Sequence, residues 1–221
     1  MGIKYRVIRR NVKYPRIEIS PLGDVKVIVP PNVNPEDLVG RKKGWIEKKL
    51  REIEEARMKF LPLSNKLLLD GEFYELIESE EFGVNPKFHV VLLPKDDLET
   101  LKRWLKTQLR EELEFKVRLF SSVFGVKYRK IYIRFQKTKW ASCSEKGNLS
   151  FNLMLMALPE ELRDYIIIHE VAHLKFQKHS RKFWELVRQY YPDYKHAQKG
   201  LREYWLALQY NKIWNKLREI A

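Results

Sequence analysis

Apolar residues along this chain keep two rhythms, one of period two and one of helical spacing, and the switches between them outline its elements. Tyr5–Arg10, Arg16–Ser20 and Asp24–Val29 alternate polar and apolar side chains, as strands with one covered face do. A turn at Pro21-Leu22-Gly23-Asp24 joins the last two, and Pro30-Pro31 ends the segment. Asn34-Pro35-Glu36-Asp37 then carries helix start signals: a capping asparagine, a proline at the first helical position and two acids in the first turn. That helix is expected to reach about Phe60, with Leu38, Trp45, Ile46, Leu50 and Ile53 on its apolar side. Lys66–Leu69, Glu72–Ile77 and Lys87–Leu93 read as strands, with a turn at Asp70-Gly71.

From Asp97 to about Val123 the spacing of Leu98, Leu101, Leu105, Leu109, Leu113 and Val117 predicts a long amphipathic helix. Ile131–Phe135 and Leu149–Leu155 are strand-like, with the polar stretch Lys137–Ser144 between them. Pro159 to about Lys175 predicts another helix, opened by Pro159, Glu160 and Glu161. Ser180 then suits the N-cap of a following helix carrying Phe183, Trp184, Leu186 and Val187. No internal repeat interrupts this order. The expectation is an α+β protein with a boundary near residue 95: residues 1–95 as a β-rich domain with one long helix, and residues 96–221 as a second domain.

The Pro159 helix carries the chemistry. His169-Glu170-Val171-Ala172-His173 places two histidines four residues apart, on one helix face. Two imidazoles so placed can share one zinc ion, and the adjacent glutamate can take a proton from a water that the metal activates. Both histidines fall on the apolar stripe of Leu162, Tyr165, Ile166, Ala172 and Phe176, which is expected to face the interior. A catalytic zinc needs a third protein ligand. His179 can serve only if the helix ends near Lys175–Lys178, since a straight helix would carry it about 15 Å along the axis from His169. Glu185, Asp193 and His196 compete for the role.

Composition narrows the setting. The chain has 221 residues, 33% of them charged, and a net charge of +14. The charge is spread as +7 over residues 1–60, −3 over 61–125 and +10 over 126–221, so the half with the histidines is the most basic. That field suits anionic partners, nucleic acid among them, although no run of basic residues forms a dedicated arm. A single cysteine, Cys143, excludes an internal disulfide and fits a reducing cytosol. Met1–Arg10 lacks the apolar run of a signal peptide, and no apolar stretch is long enough to span a bilayer. A cytoplasmic protein with no membrane partner is expected.

Around the histidines, candidate substrate contacts are Arg134, Trp140, Ser142 and Asn152; Lys139 and Tyr165 join Arg134 and Ser142 as candidate donors to an oxyanion. Asn152 reads equally well as a structural amide. Cys143 could also ligate zinc, but a lone cysteine is more often a small buried hydrophobe, the reading favoured here. The Leu149–Leu155 strand precedes the histidine helix, and a sheet edge there can pair with an extended peptide.

Taken together, His169–Leu174, His179-Ser180, Phe183–Val187 and Pro192-Asp193-Tyr194 resemble the YgjP-like metallopeptidase family, related to the SprT-like and WLM zinc peptidases. Trp140-Ala141-Ser142-Cys143-Ser144, with Gly147, Asn148, Leu149 and Asn152, is similar to the family's Trp-Gly-Ser-Cys-Ser segment, with Ala141 in place of the glycine. Val29-Pro30-Pro31 and Trp45–Lys49 extend the likeness towards the amino terminus. The resemblance implies a zincin-like domain with its HExxH helix beside a small sheet, an N-terminal strand-and-helix part packed on it, Zn²⁺ on His169, His173 and His179, and Glu170 as catalytic acid/base. It implies a zinc metallopeptidase acting on peptides or proteins. Some members of the family have been associated with nucleoside triphosphate hydrolysis, so a nucleotide substrate is the alternative. A nucleic-acid-associated protein with structural zinc is a second alternative, disfavoured because structural zinc sites are usually cysteine-rich.

Overall fold

In the computed structural model, which describes residues 2–220, these rhythms become an α+β architecture of six helices and three small sheets among the described residues. The chain forms two compact units, Met1–Pro62 and Leu63–Ala221.

In the first unit, β1 (Arg6–Arg9), β2 (Arg16–Ile19) and β3 (Val25–Val29) form a sheet in the order β1-β3-β2, with β1 parallel and β2 antiparallel to β3. Helix α1 (Pro35–Phe60) packs on β2 and β3. Asn34 caps it by accepting from the Glu36 N–H at 3.1 Å, while Arg57 and Lys59 sit in the last turn, where the helix dipole favours cations. Val25, Val27, Val29, Ile46, Ile53 and Phe60 make this unit's core.

The second unit opens with β4 (Leu67–Leu69), β5 (Glu72–Glu78), β6 (Gly83–Asn85) and β7 (Val90–Leu93), ordered β4-β5-β7-β6. The boundary expected near residue 95 falls inside this unit, for a physical reason. The β4–β5 turn hydrogen-bonds into the carboxyl-terminal half: Asp70 N–H donates to Met156 O and Gly71 N–H to Ala157 O. Gly71 has φ +86°, and a Cβ there would lie 3.1 Å from Pro159 and from the Tyr204 hydroxyl. No other residue fits that turn as it stands.

Helix α2 (Leu98–Phe124) buries Leu101, Leu105, Leu109, Leu113 and Val117 completely, the stripe its sequence predicts. Each such side chain contributes roughly 1.5–3 kcal/mol of burial. Gly125 ends the helix in the left-handed conformation. Next come β8 (Lys130–Arg134), β9 (Ala141–Cys143) and β10 (Asn148–Asn152), in the order β8-β10-β9, with β10 parallel to β8 and antiparallel to β9. The strand expected to run to Leu155 stops at Asn152, whose side chain caps a 3₁₀ turn over Leu153–Ala157 by accepting from the Met154 N–H. That strand is also central rather than an edge; the sheet's edges are β8 and β9.

Four helices complete the unit: α3 (Glu160–His173), α4 (Arg181–Tyr190), α5 (Tyr194–Tyr210) and α6 (Lys212–Glu219). Helix α3 lies against α2, α4, α5 and β9. Its amino end is tied by charge. Arg163, 7% exposed, donates to Glu112 of α2 at 3.0 Å, to Asp70 at 2.6 Å and to the Leu158 carbonyl. Lys116 of α2 reaches Glu112 at 2.9 Å, Glu160 at 2.8 Å and Asp164. Burial works against the Lys116 charge, but its three carboxylate partners outweigh it and raise its pKa. No helix among the described residues is long and apolar enough to cross a membrane.

Candidate metal centre

Helix α3 is buried nearly all round, and this reverses one expectation. Ile167, Ile168, Val171 and Ala172 take the interior side. His169 and His173 occupy the half-buried flank instead of the innermost stripe. The helix stops at His173, slightly before the expected Lys175–Lys178, and the turn that follows brings His179 back to the other two. Ser180 caps α4 as expected, accepting from the Phe183 N–H.

The three Nε2 atoms converge. His179 Nε2 lies 3.1 Å from His169 Nε2 and 3.2 Å from His173 Nε2. Ligand nitrogens on one tetrahedral zinc, at about 2.05 Å each, stand about 3.3 Å apart. The donor set therefore fits a zinc ion. Its protonation fits too. His173 Nδ1–H donates to the Phe176 carbonyl at 3.1 Å, which leaves the Nε2 lone pair facing the cluster. Burial, with the charge of His173 and His179 behind it, lowers the His169 pKa to about 3, and burial also lowers that of His173. Neutral imidazoles are what a metal requires. His169, His173 and His179 are the one such group among the described residues; Glu185 instead pairs with Arg181 at 2.8 Å, and His196 and Asp193 lie outside the cluster.

Aromatic rings fix the imidazoles. Phe183 of α4 is fully buried and meets His173 at 4.6 Å, His169 at 4.9 Å and His179 at 4.9 Å between centroids. Trp184 stacks on His179 at 5.4 Å and 20°, and Tyr194 stacks on Trp184 at 5.0 Å. Phe183 and Trp184 are legible in the sequence as an apolar helix face, but not as the holders of these rings.

Glu170 is 7% exposed beside the cluster. Burial raises its pKa to about 7, opposed by the charge of Lys139 and by a hydrogen bond from the Cys143 backbone N–H. Its Oε2 is buried with no partner, as is His169 Nδ1. Two polar atoms unmatched in a dry setting mark a place where a further group is accommodated.

The residues expected around substrate separate into two sets. Arg134, Lys139 and Ser142 line a common cavity on the outer face of the β8-β10-β9 sheet. Trp140 packs edge-on against Trp205 of α5 at 4.9 Å. Asn152 is fully buried, and its amide donates to the carbonyls of Gln136 and Lys139, so the structural reading of this side chain describes its contacts. Tyr165 is buried with its hydroxyl accepting from Gln198. Strand β9 itself, and the use of the Cys143 N–H, escape the sequence reading. The Ser144–Gly147 turn, with Gly147 at φ +74°, is the signal that marks this hairpin.

A family model described as YgjP-like, metallopeptidase domain, matches residues 13–204. Among solved structures, the crystal structure of the metallopeptidase zymogen of Pyrococcus abyssi abylysin is 31% identical over 36% of this chain and 80% of that chain, with a TM-score of 0.34. Among curated proteins, none matches.

Proposed function

We propose that this chain, which belongs to the YgjP-like metallopeptidase family, is a zinc-dependent peptidase with His169, His173 and His179 as metal ligands and Glu170 as general base. The observation that carries the reading is the convergence of three histidines, with His179 Nε2 3.1 and 3.2 Å from the Nε2 atoms of His169 and His173, beside a buried carboxylate whose Oε2 has no partner. Zinc, when bound, supplies Lewis acidity and lowers the pKa of water towards about 7. Glu170 supplies the proton acceptor. One carboxylate oxygen is held by the Cys143 N–H, and Oε2 is left to take a proton and return it to the leaving amine.

Strand β9 supplies the substrate's rail. The Trp140 carbonyl accepts from Asn152 N–H, and Ser144 N–H donates to the Asn148 carbonyl, so these groups turn towards β10. Backbone groups of Ala141 and Cys143 consequently turn to the outer edge, where Glu170 takes the Cys143 N–H and the Ala141 groups and the Cys143 carbonyl are left to pair with a peptide. An extended peptide paired along that edge lies beside Glu170 and the histidines.

The test compares wild-type protein with Glu170→Gln, each loaded with zinc, on an unfolded protein substrate. The variant is expected to hold one zinc per chain while cleavage falls by about 10²–10⁴-fold, the usual size of a general-base contribution. Undiminished cleavage by that variant would sink the mechanism.

A further inference from the structure

The outer, polar face of the β8-β10-β9 sheet holds a cavity of about 570 Å³. Tyr132 and Arg134 of β8, Ser150 of β10 and Ser142 of β9 line it, and Lys139 joins them from the loop before β9. Two cations line this space and no acid does. Arg134 lies over the Tyr132 ring, its Cζ 5.1 Å from the centroid. Neither Arg134 nor Lys139 forms an ion pair among the described residues, whereas Arg163 and Lys116 in the same unit are each met by two or three carboxylates. Ser150 Oγ on this face is buried without a hydrogen-bond partner.

The cavity adjoins the candidate centre through β9. Cys143, one of its lining residues, gives its N–H to Glu170. Side chains of a strand laid along β9 alternate in step with those of β9. The residue opposite Ser142 therefore points to the same face as Ser142, towards the cavity that Ser142 shares with Lys139 and, across β10, with Arg134.

We propose that Arg134 and Lys139 form a subsite for an acidic residue, receiving the side-chain carboxylate of an Asp or Glu on a peptide that lies along β9. The inference rests on the peptidase reading of the same site. Arginine's planar fork suits a carboxylate, its stacking on Tyr132 holds that fork ready, and the Ser142 hydroxyl adds a donor. Both cations are exposed, so salt weakens their effect.

Peptides that differ only by Glu or Gln, scanned along the substrate, test this with the zinc-loaded full chain. At one position the Glu peptide is expected to show a kcat/KM about tenfold higher, carried by KM and shrinking as salt rises. In Arg134→Gln/Lys139→Gln the Glu-over-Gln ratio is expected to fall to about one, with thermal melting confirming that the variant folds. Fluorescence anisotropy of the same peptides on the zinc-free full chain reads the preference without turnover. Cleavage with no acidic preference at any position overturns the subsite and leaves the peptidase reading standing. Absence of cleavage, with the Glu peptide still bound more tightly through these two residues, supports the subsite and removes the peptidase reading. If a single-stranded oligonucleotide binds at these residues more tightly than the Glu peptide and with steeper salt dependence, the ligand is a phosphate chain and the proposal falls.

Discussion

The two ends of α3 handle buried polarity in opposite ways. At the amino end, Arg163 and Lys116 meet Glu112, Asp70, Glu160 and Asp164, so each buried cation there has its acids. At the carboxyl end, three imidazole nitrogens face one another, and Glu170 Oε2 and His169 Nδ1 have no partner. One helix thus carries an anchor and the candidate centre, and partner satisfaction tells them apart. Saturated polar groups stabilise the fold, whereas unsaturated ones raise its energy and are retained where a ligand or a reaction uses them.

The largest expected effect strikes the anchor. Arg163→Met leaves Glu112 and Asp70 without this partner and should lower unfolding free energy by about 3 kcal/mol or more, measured by urea denaturation. Cleavage per folded molecule should not change. A loss below about 1 kcal/mol would mean that the amino end is not an anchor, and the contrast between the two ends would dissolve.

A smaller effect should follow at the other end. Trp184→Ala removes the ring stacked on His179 and should weaken zinc binding by about 10–100-fold in a chelator competition, the usual size for a group that orients a ligand. Unfolding of the zinc-free protein separates this effect from a general loss of stability. Unaltered zinc affinity would show that the turn alone positions His179.

The smallest effect probes how dry the carboxyl end is. Burial, assisted by the charge of Glu170, pushes the Cys143 thiol up to about 11. Thiolate is the reactive form, so alkylation should be slow at pH 8 and rise about tenfold per pH unit until it levels near 11. A plateau near 8.5 would put water beside Glu170 and remove the ground for its raised pKa.

Much of this arrangement is legible in the sequence because its signals are local. Asn34-Pro35, the leucine spacing of α2, the HExxH spacing and the Ser180 cap each act within a few residues, and each lands close to its expected place. What escapes depends on distant partners. Strand β9 is three residues long and polar on one side, and only its pairing with β10 makes it a strand. Helices α5 and α6 escape as well; Trp214 of α6 is held by its indole N–H donating to Leu68 O, a contact 146 residues apart. The histidine flank is half-buried because α2, α5 and β9 cover the rest of α3, which periodicity along a single helix does not reveal.

Asn152 has a consequence of another kind. Its amide ties the carbonyls of Gln136 and Lys139 from below, while Lys137 and Thr138 between them are exposed. The loop is therefore pinned at both feet and free at its tip. Substitution at the tip leaves the pinned backbone where it is, so the chemistry of this rim can change without moving the strand beside it. The pin itself has no such freedom, since no other side chain of its size offers the two N–H groups and the acceptor that Asn152 supplies at once.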